Sequence, residues 1–280
     1  MPSREQTVAD AIRLFEAAEY PSGLNASTAW LGIYQTLLWY EPVNWVGFTD
    51  LPHIIEADQL RPCERKKRTW KKPRAWQRRA QALTDYLGVQ LGCPSDDVPQ
   101  KVDLLMRLPD YEGMQRQNSL GMAFVGLVQH VLERFGSPTV LYEAEVDANA
   151  IFPGITFPGR SGTPRIDILA KCDGIPRAII SAKWSVRHDR LNDITNECPV
   201  YKAAYERIYR QVRRDHLLYF VVTNEYAPAR LNKMLDDPCV DGVVHVHKKA
   251  PVEVCGLDGR LGRLMDLEDF INATFSWSSR

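Results

Sequence analysis

Four residues in the middle of the chain have the types and spacing to act on a phosphodiester: Asp167, Ser181, Lys183 and Glu197. Asp167 and Glu197 offer hard oxygen ligands to Mg²⁺. A cation held there polarises a scissile phosphate and lowers the pKa of a bound water, while Lys183 orients that water or neutralises charge developing on the phosphoryl oxygens. Ser181 is a supporting hydroxyl beside the metal. Hydrolysis of this kind leaves a 5′-phosphate and a 3′-hydroxyl.

These residues do chemistry only if the elements that carry them bring them together. Thr139 to Val146, Arg165 to Lys171 and Pro176 to Val186 are β-rich runs, and Asp173-Gly174 between the last two is a turn signal for a hairpin. Side chains alternate along a strand, so parity decides the outcome. A plain two-residue loop pairs Asp167 with Ile180 and turns Lys183 to the far face. A loop of odd length, or a bulge, sets Asp167 opposite Ser181 with Lys183 one diagonal step away, and the sequence is read that way. An Asp and a Lys across a turn often face solvent. Here Ile166, Ile168, Ile179 and Ile180 mark strands with buried surface, which makes these charges neighbours of a core.

Around the hairpin, the first hundred residues read mainly as helices. Thr7 is a candidate N-cap ahead of Val8, Ile12 and Phe15, and Ala29 to Tyr40 is a second apolar segment. A Gly/Ala-rich amphipathic helix runs from Ser119 to a stop at Gly136 and Pro138. A helix from Val200 to Arg214, the apolar run Leu217 to Thr223, a helix from Ala227 to Leu235, a strand from Val243 to Val246 and a helix from Leu267 to Phe275 follow. Strands flanked by helices predict an α/β fold, an α/β/α core on a mixed central sheet, with a mainly helical N-terminal region as an appendage. The boundaries are 1–115 for that region and 116–280 for the core.

Composition excludes other classes. The longest apolar stretch is too short for a bilayer, and Arg4, Glu5 and Asp10 stand where a signal peptide needs an apolar block, so a cytoplasmic protein with no membrane partner is expected. The six cysteines are spread singly and read as free thiols. Formal charge balances to zero, yet ten Lys or Arg and a single acid, Glu64, fall between Arg61 and Arg79. That stretch includes Lys66, Lys67, Arg68, Lys71 and Lys72 and suits contacts to a DNA backbone. His245 and His247 could suggest zinc, but no third ligand stands near and a strand edge is the better reading.

In these residues the chain resembles the PD-(D/E)XK nuclease superfamily, and within it the type II restriction enzymes that recognise sites built on CC…GG. The series reads Asp167, then Ser181-Ala182-Lys183, then Arg187-His188-Asp189-Arg190, then Glu197, with the spacings of that group. The resemblance covers 119–226. It implies that Arg187, Asp189 and Arg190 read the C·G pairs, and the chemistry agrees, since Arg donates twice to guanine and a carboxylate accepts from cytosine N4. The chain departs from the pattern at Val125, which follows Gly121-Met122-Ala123-Phe124 where the group often has Glu. Gln129 and Glu133 are weak substitutes and receive no role.

The reading is therefore a type II restriction endonuclease of PD-(D/E)XK type. It would be a Mg²⁺-dependent homodimer, or a higher oligomer, that hydrolyses double-stranded DNA at a palindrome, contiguous or interrupted, with CC and GG halves. The alternatives are a structure-specific repair or recombination nuclease without base readout, and a DNA-binding regulator whose nuclease-like domain does not cut.

Overall fold

The computed structural model describes residues 3–17, 20, 23–40, 92–94, 97, 117–158, 162, 164–184, 186, 188–211, 215–225, 228–248, 251–252 and 262–277; for 34–35, 37–40, 117–120 and 188–190 it describes the backbone alone. In chain order the elements are α1 (Arg4–Ala17), α2 (Ala29–Tyr40), α3 (Gln117–Phe135), β1 (Val140–Asp147), α4 (Ala148–Ile151), β2 (Arg165–Cys172), β3 (Ile175–Lys183), α5 (His188–Tyr209), β4 (Leu218–Thr223), α6 (Pro228–Asp236), β5 (Gly242–His245), β6 (Leu264–Met265) and α7 (Leu267–Thr274). The strands form one sheet in sequence order. β1, β2 and β3 pair antiparallel, whereas β3 to β6 pair parallel. Parallel neighbours need a crossover, which α5 supplies between β3 and β4 and α6 between β4 and β5.

The sheet is mixed and carries a separate core on each face. Ile168, Ile180, Ala182, Phe220 and Val222 point toward α3 and α7, where Phe124, Val128 and Phe270 are fully buried. Ala11 and Phe15 of α1 and Ala29 and Ile33 of α2 belong to this same core. Leu169, Ile179, Tyr219, Val221 and Val243 face α5 and α6. With both faces covered, β4 reads as an unbroken apolar run.

Three local expectations are corrected. Ser3 caps α1, its Oγ accepting the Gln6 N–H at 3.2 Å, and Thr7 lies one turn inside the helix and is buried. α5 starts at His188, well before Val200, and runs through Pro199. Proline removes one helical hydrogen bond, but Leu191, Ile194, Cys198, Tyr201 and Tyr205 recur on one face at helical spacing, and their burial holds the helix together across it. Cys198 and Cys239 form a disulfide with a Cα–Cα distance of 6.0 Å, against the reading of free thiols. They are 41 residues apart in sequence and meet only because the loop after α6 returns beside α5. Cys93 and Cys172 are unbridged thiols. Among the described residues no helix is long and apolar enough to cross a membrane.

Candidate active site

Parity at the hairpin is set by two features acting together. Asp173 and Gly174 form a two-residue loop between paired Cys172 and Ile175, both with positive φ, 52° and 78°, the backbone of the tight primed turn. Lys171 then pairs with Pro176, but Ala170 pairs with Ala178, so Arg177 is the extra residue of a β-bulge. Its buried guanidinium donates to the His216 carbonyl at 3.3 Å and pairs with Asp215 at 3.4 Å, which ties the bulge to the entrance of β4. Beyond it Leu169 pairs with Ile179 and Ile168 with Ile180, a register whose next step sets Asp167 across from Ser181. The bulge supplies the odd residue that the sequence required.

Asp167, Ser181 and Lys183 converge on that face. Asp167 Oδ2 accepts from Ser181 Oγ at 3.2 Å and from the Ala182 N–H at 2.9 Å. Lys183 Nζ reaches Oδ1 at 2.8 Å and Oδ2 at 2.6 Å. The Asp167 side chain is 12% exposed and that of Lys183 29%, so the pair sits at the rim of the core with one side open.

That open side is a cleft of about 270 Å³. α5 contributes Asp193, Glu197 and Tyr201, spaced four residues apart and so aligned along one helical face, with Ile194 beside them. Glu145 of β1 and Arg165 of β2 stand at the mouth, and Tyr219 of β4 lies at the floor. Glu145 has φ 52°, a left-handed backbone that a non-glycine residue rarely keeps. Its carboxylate pairs with Arg4 at 2.8 Å and its carbonyl accepts from Arg165 at 3.3 Å, so the conformation is held from both sides.

Tyr219 is a site residue that sequence reading missed. It is buried, and its hydroxyl is pushed well above the ordinary tyrosine range, first by burial, then by the nearby Glu197 carboxylate, Tyr201 and the Asp167 carboxylate; a hydrogen bond with Ser181 pulls the other way. It stays a neutral phenol that links the hairpin side of the cleft to the α5 side. The signal was hidden because Leu217 to Thr223 is apolar on both faces.

The donor set is oxygen throughout, which suits a hard divalent cation. Among the described residues no three His, Cys, Asp or Glu side chains come together closely enough to enclose a metal on their own. Mg²⁺ does not need such a cage, because it keeps several waters and binds through one or two carboxylates plus substrate phosphate. Val125 packs in the core beneath α3, Gln129 bonds Glu133 and the Tyr142 carbonyl, and none of the three lines the cleft. His245 is buried inside the sheet, not at an edge.

The remaining candidates are placed only in part. Asp189 and Arg190 lie in the first turn of α5, with their side chains outside the described residues. Arg187 and the basic residues Lys66, Lys67, Arg68, Lys71 and Lys72 are outside them altogether. Comparison with protein-family models and with curated protein sequences finds no match, so the chemistry of the cleft rests on its own geometry.

Proposed function

We propose that this chain is a Mg²⁺-dependent endonuclease of the PD-(D/E)XK type that cuts double-stranded DNA. Within that class it acts as a type II restriction enzyme on a palindrome with CC and GG halves. The observation that carries the reading is the convergence of Asp167, Ser181 and Lys183 on one face of a bulged hairpin, at a cleft that Glu197 also lines.

Asp167 and Glu197 would hold the cation, which supplies Lewis-acid activation of the phosphodiester and a more acidic water. Lys183 places a positive charge where the phosphoryl oxygens gain negative charge. Ser181 and the Ala182 N–H fix the Asp167 carboxylate through Oδ2. Tyr219 and Tyr201, stacked with ring centroids 6.3 Å apart, give the cleft a rigid floor that limits water. Asp189 and Arg190 belong to the first turn of α5, one turn ahead of the cleft-lining Asp193, and by the family resemblance Arg187, Asp189 and Arg190 would read base edges. One site per chain cuts one strand, so a two-fold dimer matches a symmetric duplex site.

The test incubates purified protein with unmethylated phage DNA, with and without Mg²⁺, beside Lys183→Ala, and sequences the fragment ends. Discrete Mg²⁺-dependent fragments ending at one CC…GG site, absent in the variant, support the proposal. A smear, or cutting confined to branched DNA, replaces base readout with structure-specific repair, and tight binding without cutting sinks the enzyme reading.

A further inference from the structure

The connection from β3 to α5 changes face at the end of the sheet. Trp184 packs edge-on to Phe124 at 5.5 Å on the α3 side, whereas Val186 joins Leu191 and Ile194 in the core under α5. A segment that crosses over like this leaves the strand ladder, and its buried amides need other partners. Pairing continues one step past the strands, with the Asn224 N–H donating to the Trp184 carbonyl at 3.0 Å. A side chain then takes over: the Val186 N–H donates to Glu225 Oε2 at 3.0 Å.

Glu225 is itself held through its N–H, its carbonyl and its carboxylate. It is 5% exposed, and Oε2 also accepts from Arg230 Nη1 at 3.0 Å. Its N–H donates to Thr223 Oγ1 at 3.1 Å. His245 Nδ1 accepts the His247 N–H at 3.1 Å, so Nε2 carries the proton and donates to the Glu225 carbonyl at 3.2 Å. Burying a carboxylate is costly unless it is paired and hydrogen-bonded, and this one, paired with Arg230, holds a backbone amide outside the cleft.

We propose that Glu225, clamped by Arg230, is a positioning residue that fixes how the backbone enters α5 at His188 and so sets the direction from which the first turn of that helix meets DNA bases; its DNA part rests on the nuclease reading above. α5 begins at His188, two residues beyond the anchored amide. Bidentate contacts to guanine depend on hydrogen-bond direction, so a small rotation of that entry degrades discrimination before it degrades cutting.

The test compares full-length wild type, Glu225→Ala and Glu225→Gln by two readouts. Amide hydrogen exchange of the segment 184–191 in DNA-free protein reads the anchor, and the ratio of cleavage at the preferred site to cleavage at single-base variants reads the function. Alanine is expected to open 186–190 while α3 and β4 keep their protection, and to lower discrimination about tenfold, the effect of about 1.4 kcal/mol of lost base readout. Glutamine keeps an acceptor for Val186 and restores most of both. Uniform loss of protection along the chain, or an opened segment with unchanged discrimination, overturns the proposal. Should Glu225→Ala not fold, Arg230→Met releases the clamp alone, and unchanged exchange at 186–190 in that variant also overturns it. If the wild type cuts no DNA, the nuclease reading fails by itself and exchange decides the anchor, which unchanged protection in Glu225→Ala removes.

Discussion

Lys183 Nζ lies 2.8 Å from Oδ1 and 2.6 Å from Oδ2 of Asp167, so one ammonium is shared by both oxygens of the carboxylate. One side of this pair opens on the cleft, so water can solvate the Asp167 carboxylate once the ammonium is removed. Ser181 and Ala182 still donate to Asp167 when Lys183 is gone. Lys183→Met is therefore expected to melt close to wild type while single-turnover cleavage falls about 10²–10³-fold. A large drop in Tm with cleavage retained would show the pair to be structural and remove it from the mechanism.

Asp193 and Glu197 stand one helical turn apart on the same face of α5, and both line the cleft. If Glu197 is the second cation ligand, Glu197→Gln lowers the cleavage rate about 100-fold, about 2.7 kcal/mol of lost transition-state stabilisation, and moves the Mg²⁺ dependence to higher concentration. Asp193→Asn is expected to leave the Mg²⁺ midpoint in place. The opposite pattern in a Mg²⁺ titration would exchange the two roles.

The site was legible in the sequence where a local rule governs it. Asp173-Gly174 announces the turn, and strand parity then demanded one extra residue, which Arg177 provides. What was hidden depends on tertiary structure. The helix was read as starting at Val200, yet the buried face from Leu191 to Tyr205 carries α5 through Pro199 and places Glu197 on a helix. Tyr219 could not be told from its neighbours in a strand buried on both sides. The Cys198–Cys239 bond joins residues whose sequence spacing carries no motif, and only the return of the chain after α6 brings them together.

Alkaline pH should unfold the protein through its buried tyrosines. Tyr142 is pushed from 10.0 up to about 12, first by burial, with a Thr274 hydrogen bond opposing and Cys172 adding to the rise. Because the folded-state value is the higher one, the unfolded chain ionises first. The stabilisation is complete below pH 10 and is lost as pH climbs toward 12, with a span of about 3 kcal/mol for this residue. Tyr219 shifts in the same direction and adds to the slope. Urea unfolding at about pH 9 and about pH 11 measures it, and Tyr142→Phe should flatten the difference. A slope unchanged by that substitution would assign the alkaline loss to other groups.

The disulfide ties α5 to the loop before β5 next to Glu197. Cys198 follows that residue directly, and Lys202, one turn on, pairs with Asp241 at 2.7 Å. Closing a loop of 41 residues restricts the unfolded chain by up to about 4 kcal/mol on the chain-entropy account. Reductant is therefore expected to lower the Tm of wild type and to leave a Cys198→Ala/Cys239→Ala double variant, which starts lower, unmoved. Peptide mapping without reductant should recover the two cysteines in one cross-linked fragment. Reduction should also raise amide exchange around residues 196–202, because the tether limits how far that stretch of α5 can lift from the sheet. A wild-type melt indifferent to reductant, with the cross-linked fragment present before treatment and gone after it, would mean that packing of Leu191, Ile194 and Tyr201 with the Lys202–Asp241 pair holds the helix over the cleft without the bond.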